Sequence, residues 1–86
     1  MTTLKDLAIG TSGVVKKITV TGPLKQRLLD MGITKGTKVK VIKIAPLGDP
    51  IEIELRAYNL SVRKSDAETI EIDEATIIKE EVKGDK

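Results

Sequence analysis

Apolar and polar positions alternate most cleanly from Ile51 to Ala57, where Ile51, Ile53, Leu55 and Ala57 are interleaved with Glu52, Glu54 and Arg56. A period of two marks a half-buried β-strand, with one face packed and the other wet. The run from Thr37 to Ala45 also alternates but changes phase midway: Val39 and Val41 share one face, Ile42 and Ile44 the other. A bulge reconciles the two halves, and small barrels close on such irregularities. Between these runs, Pro46-Leu47-Gly48-Asp49-Pro50 has turn chemistry in its prolines, glycine and aspartate. Ser12 to Val20 reads as an earlier strand with Val14, Ile18 and Val20 in phase, framed at its start by Gly10 and Gly13. Tyr58-Asn59 reads as a tight turn into Leu60-Ser61-Val62, and Glu68 to Asp73 carries Ile70 and Ile72 as a closing strand.

Helical spacing dominates in one segment. Gly22-Pro23 opens it, because proline suits a first helical position where its missing N–H is not needed. Leu24, Leu28 and Met31 then recur on one face, and Gly32 stands where a helix ends in the left-handed conformation. A shorter helical turn is predicted at Thr3 to Leu7, since Leu4 and Leu7 share a face. From Ala75 onward the pattern fades into a charge-rich end, although Ile77, Ile78 and Val82 could extend a strand. Residues 1–74 are therefore expected to form one domain, and 75–86 a mobile charged tail. About five short strands with one helix inserted after the first predict a mainly all-β fold, a small partly open barrel of SH3-like type. A helical bundle is excluded by the strand count, and a parallel α/β sheet by the lack of repeated crossover helices.

Composition narrows the chemistry. In 86 residues there is no Cys and no His, which removes thiol nucleophiles, the commonest general base and the preferred ligands of zinc and iron(II). No catalytic residue, metal ligand or cofactor site is therefore expected, and the chain is read as a non-enzyme. Asp66, Glu68, Glu71, Asp73 and Glu74 form a mildly acidic stretch, but nothing in their spacing makes the oxygens converge on a hard cation. Gly10-Thr11-Ser12-Gly13 lacks the Gly-Lys-Ser/Thr ending of a phosphate loop. Lys and Arg number 15 against 13 Asp and Glu, and both signs are interleaved, which describes a mixed soluble surface rather than a phosphate-tracking stripe. One Tyr and no Phe or Trp leave the core to Ile, Leu and Val, and remove the stacking platforms of single-strand binders. Apolar runs are far shorter than the roughly 20 residues of a membrane-spanning helix. No basic-then-apolar leader opens the chain. A cytoplasmic location is expected.

Two segments carry more than a bland packing role. Arg27-Leu28-Leu29-Asp30-Met31-Gly32 has apolar surface on more than one helix face, because Leu29 and Ile33 lie off the stripe of Leu24, Leu28 and Met31. Ala45-Pro46-Leu47-Gly48-Asp49-Pro50 places an apolar residue, Leu47, at the tip of a stiff loop.

In order along the chain, Arg27-Leu28-Leu29-x-Met31-Gly32, then Gly36-x-x-Val39, then Ala45-Pro46-Leu47-Gly48-Asp49-Pro50, then Leu60-x-Val62-Arg63-Lys64-x-x-Ala67 resemble the ferrous iron transport protein A family. The hexapeptide is the most specific of these pieces. The resemblance runs from Leu4 to about Asp73 and implies an SH3-like barrel with a cytosolic role beside a membrane ferrous iron transporter that bears a GTPase domain. Family labels of transition-metal binding are read as transport of iron by the system. It further implies architectural roles for Gly32, Gly36, Pro46, Gly48, Asp49 and Pro50. Leu28, Leu29 and Leu47 become candidate partner contacts, with Arg27 and Arg63 as polar anchors, arginine being enriched at binding hot spots. The chain is not expected to sit in the membrane, although recruitment to its inner face and self-association both fit. The same domain type closes iron-dependent repressors. No helix-turn-helix precedes Leu4, so the stand-alone accessory is preferred to a metal-sensing module. A nucleic-acid-binding small barrel, the other rival, calls for a basic face and exposed aromatics.

Overall fold

The strand-forming runs pair into one antiparallel sheet. A computed structural model describes residues 2–56 and 58–79. In chain order the strands are β1 (Thr2–Thr3), β2 (Thr11–Ile18), β3 (Lys38–Ile44), β4 (Ile51–Leu55), β5 (Tyr58–Val62) and β6 (Ile70–Lys79). A 3₁₀ turn spans Leu4–Asp6, helix α1 spans Pro23–Asp30, and a four-residue helix α2 spans Lys64–Ala67. The strands lie in the order β1-β6-β2-β3-β4-β5, and the sheet curls into a half-barrel.

Irregularities in pairing produce the curl. Ile42 is the extra residue where β3 meets β4, since Val41 pairs with Ile53 and Lys43 with Glu52. This is the phase change legible in the sequence. Two more irregularities bend β2 against β6, one between Ser12 and Val14 and one between Val15 and Lys17. Bulges of this kind increase local twist and turn a sheet toward closure. On β6 the excursion at residues 74–77 is stitched by Thr76, whose hydroxyl accepts from the Val14 N–H at 2.8 Å and donates to the Asp73 carbonyl at 2.6 Å.

These bulges change the phase expected for the first long strand. Val15 is buried, while Val14, Ile18 and Val20 are half-buried and Val20 lies beyond the strand end. Lys16, looped out between the Val15–Ile72 and Lys17–Glu71 pairs, resets the alternation. The described residues form six strands where about five were expected, and Tyr58-Asn59 belongs to β5 rather than to a turn. The β4–β5 hairpin instead turns between Leu55 and Tyr58, where Arg56 has φ 54°. The closing strand runs on through Lys79 instead of fading at Ala75. The rest of the expected tail lies outside the described residues.

The core is aliphatic, built from residues such as Leu4, Leu28, Ile33, Val39, Ile53 and Ile70, all at 0% exposure. Ile51, Ile53 and Leu55 face it, Glu54 and Arg56 are exposed, and Glu52 is half-buried. Helix α1 begins with Pro23 in its first turn, after Gly22. It ends where the Gly32 N–H donates to the Leu29 carbonyl at 2.9 Å and the Ile33 N–H to the Leu28 carbonyl at 3.0 Å. This paired closure needs a left-handed residue at Gly32, whose φ is +98°.

Gly13 is required for a different reason. A Cβ there would lie 2.6 Å from Ile72 Cγ2 and 3.3 Å from Ile77 Cγ1. Ile72 is buried and has nowhere to yield. Gly13→Ala is therefore expected to cost about 1–3 kcal/mol by overpacking. A urea melt checks this, and an unchanged midpoint would mean that β6 does not cross β2 in this register.

Candidate functional site

The hexapeptide between β3 and β4 folds back on itself. The Ala45 N–H donates to the Pro50 carbonyl at 3.1 Å and the Gly48 N–H to the Ala45 carbonyl at 2.7 Å, with Gly48 at φ +89° and a cis Asp49–Pro50 peptide. Leu47 is pushed to the tip and is 95% exposed. Pro46 and Pro50 are exposed as well.

Helix α2 links this loop to α1. Asp49 Oδ1 accepts from the Lys64 N–H, the first amide of α2, at 2.9 Å. An acidic side chain thus satisfies a helix N-terminal donor from another segment, a favourable place for negative charge. From the other side, Arg27 Nη2 on α1 meets Asp66 Oδ2 on α2 at 3.3 Å. Arg63, the exposed residue before α2, lines a shallow depression of about 380 Å³ with Asp49, Pro50 and Ser61. Arg27, Asp49 and Arg63 are therefore gathered around one short helix that the sequence pattern did not reveal. Four residues are too few to display helical periodicity.

The two leucines of α1 fall elsewhere. Leu28 is at 0% exposure and belongs to the core, as its place on the stripe with Leu24 and Met31 implies, and so it is not a surface contact for a partner. Its neighbour Leu29 is half-buried. Two positions along a helix turn a side chain by roughly 200°, so Leu29 points away from the Arg27 side. It lines an open groove of about 450 Å³ with Lys17, Ile18, Lys25 and Lys35. These lysines come from three separate segments, and no local signal in the sequence marks them as neighbours.

Of the remaining glycines singled out in the sequence, Gly36 sits at φ +88° before β3 and its N–H donates to the Val15 carbonyl at 2.9 Å. Gly32 lies under Tyr58, whose hydroxyl donates to the Met31 carbonyl at 2.7 Å. Among the described residues no group of three or more His, Cys, Asp or Glu side chains is placed to hold a metal ion. None of their helices is long and apolar enough to cross a membrane. In the pairs Lys5–Glu68, Lys16–Glu71 and Arg27–Asp66 the cation is open to solvent, and such pairs contribute little to stability.

A curled antiparallel half-barrel carrying one helix and a stiff, apolar-tipped loop defines a small SH3-like domain. The FeoA domain family model matches residues 2–74. The chain belongs to the FeoA family. A curated Porphyromonas gingivalis relative, a fusion of Fe(2+) transport protein A with the Fe(2+) transporter FeoB, is 34% identical over 70 residues, covering 81% of this chain. The chain spans only 8% of that relative's length. The crystal structure of Stenotrophomonas maltophilia FeoA complexed with zinc superposes with a TM-score of 0.83 at 25% identity, covering 94% of this chain and 100% of that one. A FeoA-like protein from Clostridium acetobutylicum gives a TM-score of 0.76 at 37% identity, with 85% and 88% covered. A manganese-dependent transcriptional repressor also superposes, with a TM-score of 0.74 over 83% of this chain and 40% of its own, but at 17% identity that likeness speaks to the fold alone.

Proposed function

We propose that this chain is a cytosolic accessory of ferrous iron uptake that acts by docking on the cytosolic part of a FeoB-type membrane transporter, without catalysing a reaction. The observation that carries this reading is the Porphyromonas gingivalis relative, in which transport protein A and the transporter are one polypeptide. Fusion holds two modules at high effective concentration, which is useful when they work in contact. Iron is the cargo of the system, and the zinc of the Stenotrophomonas structure belongs to that protein.

The surface offered for docking is the Leu47 loop with Arg63 and Arg27 beside it. Leu47 is an exposed apolar side chain on a rigid support, the kind of anchor that enters a partner's pocket at low entropic cost. The test is charge at the tip. Leu47→Glu touches no core contact, so its melting point is expected to stay within about 0.5 kcal/mol of the parent in stability terms. Capture of the transporter's soluble GTPase domain, and iron-limited growth, are expected to fall by about tenfold or more, because a desolvated carboxylate disfavours the complex. Retained capture and growth with the folded variants Leu47→Glu and Arg63→Glu would overturn the proposed surface.

A further inference from the structure

The groove beside Leu29 is separate from the Leu47 loop and has its own chemistry. Its floor is Ile18, from the end of β2, and Leu29 of α1, both half-buried. Its rim is Lys17, Lys25 and Lys35. Lys25 and Leu29 stand one helical turn apart on the same face of α1. No carboxylate is among the described residues that line the groove, and none of the three lysines has an ion pair among them. Acids on the flanking elements are engaged elsewhere: Asp30 accepts from Gln26 Nε2 at 2.9 Å, and Glu71, the cross-strand neighbour of Lys17, pairs with Lys16. Three lysines of like charge beside an aliphatic pair are complemented by a ligand that brings negative charge together with one apolar group.

We propose that this groove binds a short acidic segment of a partner protein, with one apolar side chain seated between Ile18 and Leu29 and flanking carboxylates on the lysine rim. The shape favours a peptide over a lipid surface. Ile18 and Leu29 are half-buried whereas Lys17 and Lys35 are exposed, so a flat bilayer meets ammonium groups before it reaches the apolar pair, while a single projecting side chain reaches both. This chain's own Glu80-Glu81-Val82 has the right character but the wrong reach. Lys79 pairs with Thr11, at the far end of β2 from Ile18. Seven strand residues span roughly 23 Å, and the three steps from Lys79 to Val82 cover at most about 11 Å.

The experiment needs no transporter, so its outcome is independent of the docking surface proposed above. The full chain, labelled with ¹⁵N, is titrated with the acetylated heptapeptide Gly-Asp-Glu-Leu-Glu-Asp-Gly. Saturable amide shifts are expected at Lys17, Ile18, Lys25, Leu29 and Lys35. Affinity is expected to fall by about tenfold or more for the double variant Lys25→Glu with Lys35→Glu, whose rim charge is reversed. It is also expected to fall as salt rises from about 0.05 to about 0.5 M. Serine in place of the peptide's leucine is expected to weaken binding too. Shifts that map elsewhere, or an affinity indifferent both to salt and to the double variant, would overturn the proposal. Binding to phosphatidylglycerol vesicles without binding to the peptide would overturn it in favour of a lipid surface. Self-association that competes with the peptide and is lost in the double variant would overturn it in favour of a second copy. The shift map and salt series on the unaltered protein decide the matter even if the double variant does not fold.

Discussion

Alanine in place of Ile53 is expected to destabilise the domain by about 2–5 kcal/mol, the range for deleting most of a buried aliphatic side chain. Ile53 is at 0% exposure in the middle of β4, paired with Val41 on one side and Leu60 on the other. It thus holds together the three strands β3, β4 and β5. Surrounding side chains cannot collapse into the space without moving paired backbone, so the cavity persists and its cost adds to the lost transfer energy. For a domain of this size the melting temperature is expected to drop by at least about 8 °C. Glu54→Ala, one residue along on the exposed face, is expected to stay within about 0.5 kcal/mol. Equal melts for the two variants would show that the strand register is wrong.

The second large effect is at Gly32, where two penalties coincide. At φ +98° any side chain is strained, which typically costs about 1–3 kcal/mol. A Cβ would also stand 2.5 Å from the Tyr58 hydroxyl. Gly36 separates the two contributions, because its φ of +88° is similar and nothing lies within 4 Å of its Cβ position. Gly32→Ala is therefore expected to lose more stability than Gly36→Ala in thermal or urea unfolding. Removing the hydroxyl with Tyr58→Phe is expected to recover part of that excess, a coupling that a double-mutant cycle reads directly. Identical losses at both glycines, with no coupling to Tyr58, would remove the contact between the helix end and β5 from the account.

FeoA-family membership and the candidate loop were legible because their signals are contiguous. The hexapeptide from Ala45 to Pro50 can be recognised without knowing what surrounds it, and Leu47 stands out as the apolar residue within it. Arg27 and Arg63 could be nominated but not placed. The structure relates them only through α2, with Arg27 on Asp66 and Asp49 on the first amide of α2. Leu28, Leu29 and Ile33 show the limit most clearly. Helical spacing already set Leu28 on the packing stripe with Leu24 and Met31 and Leu29 off it, but it could not say that Ile33, also off the stripe, would be buried. Packing sent Leu28 and Ile33 to the core and left Leu29 at the groove.

By itself the sequence determined the features that arise within a few residues. These are the buried and wet faces of β4, the bulge near Ile42, and a helix opened by Pro23 and closed at Gly32. Each rests on a local rule: side-chain period, proline's fixed φ, glycine's tolerance of the left-handed region. Only the tertiary structure decided the phase of β2, the reach of β6 to Lys79, the existence of α2 and the lysine rim around Leu29. The physical reason is that these depend on pairing between segments far apart in the chain. Lys16 is looped out because β6 matches Val15 to Ile72 and Lys17 to Glu71. Lys17, Lys25 and Lys35 become neighbours only when the end of β2, helix α1 and the approach to β3 are folded together.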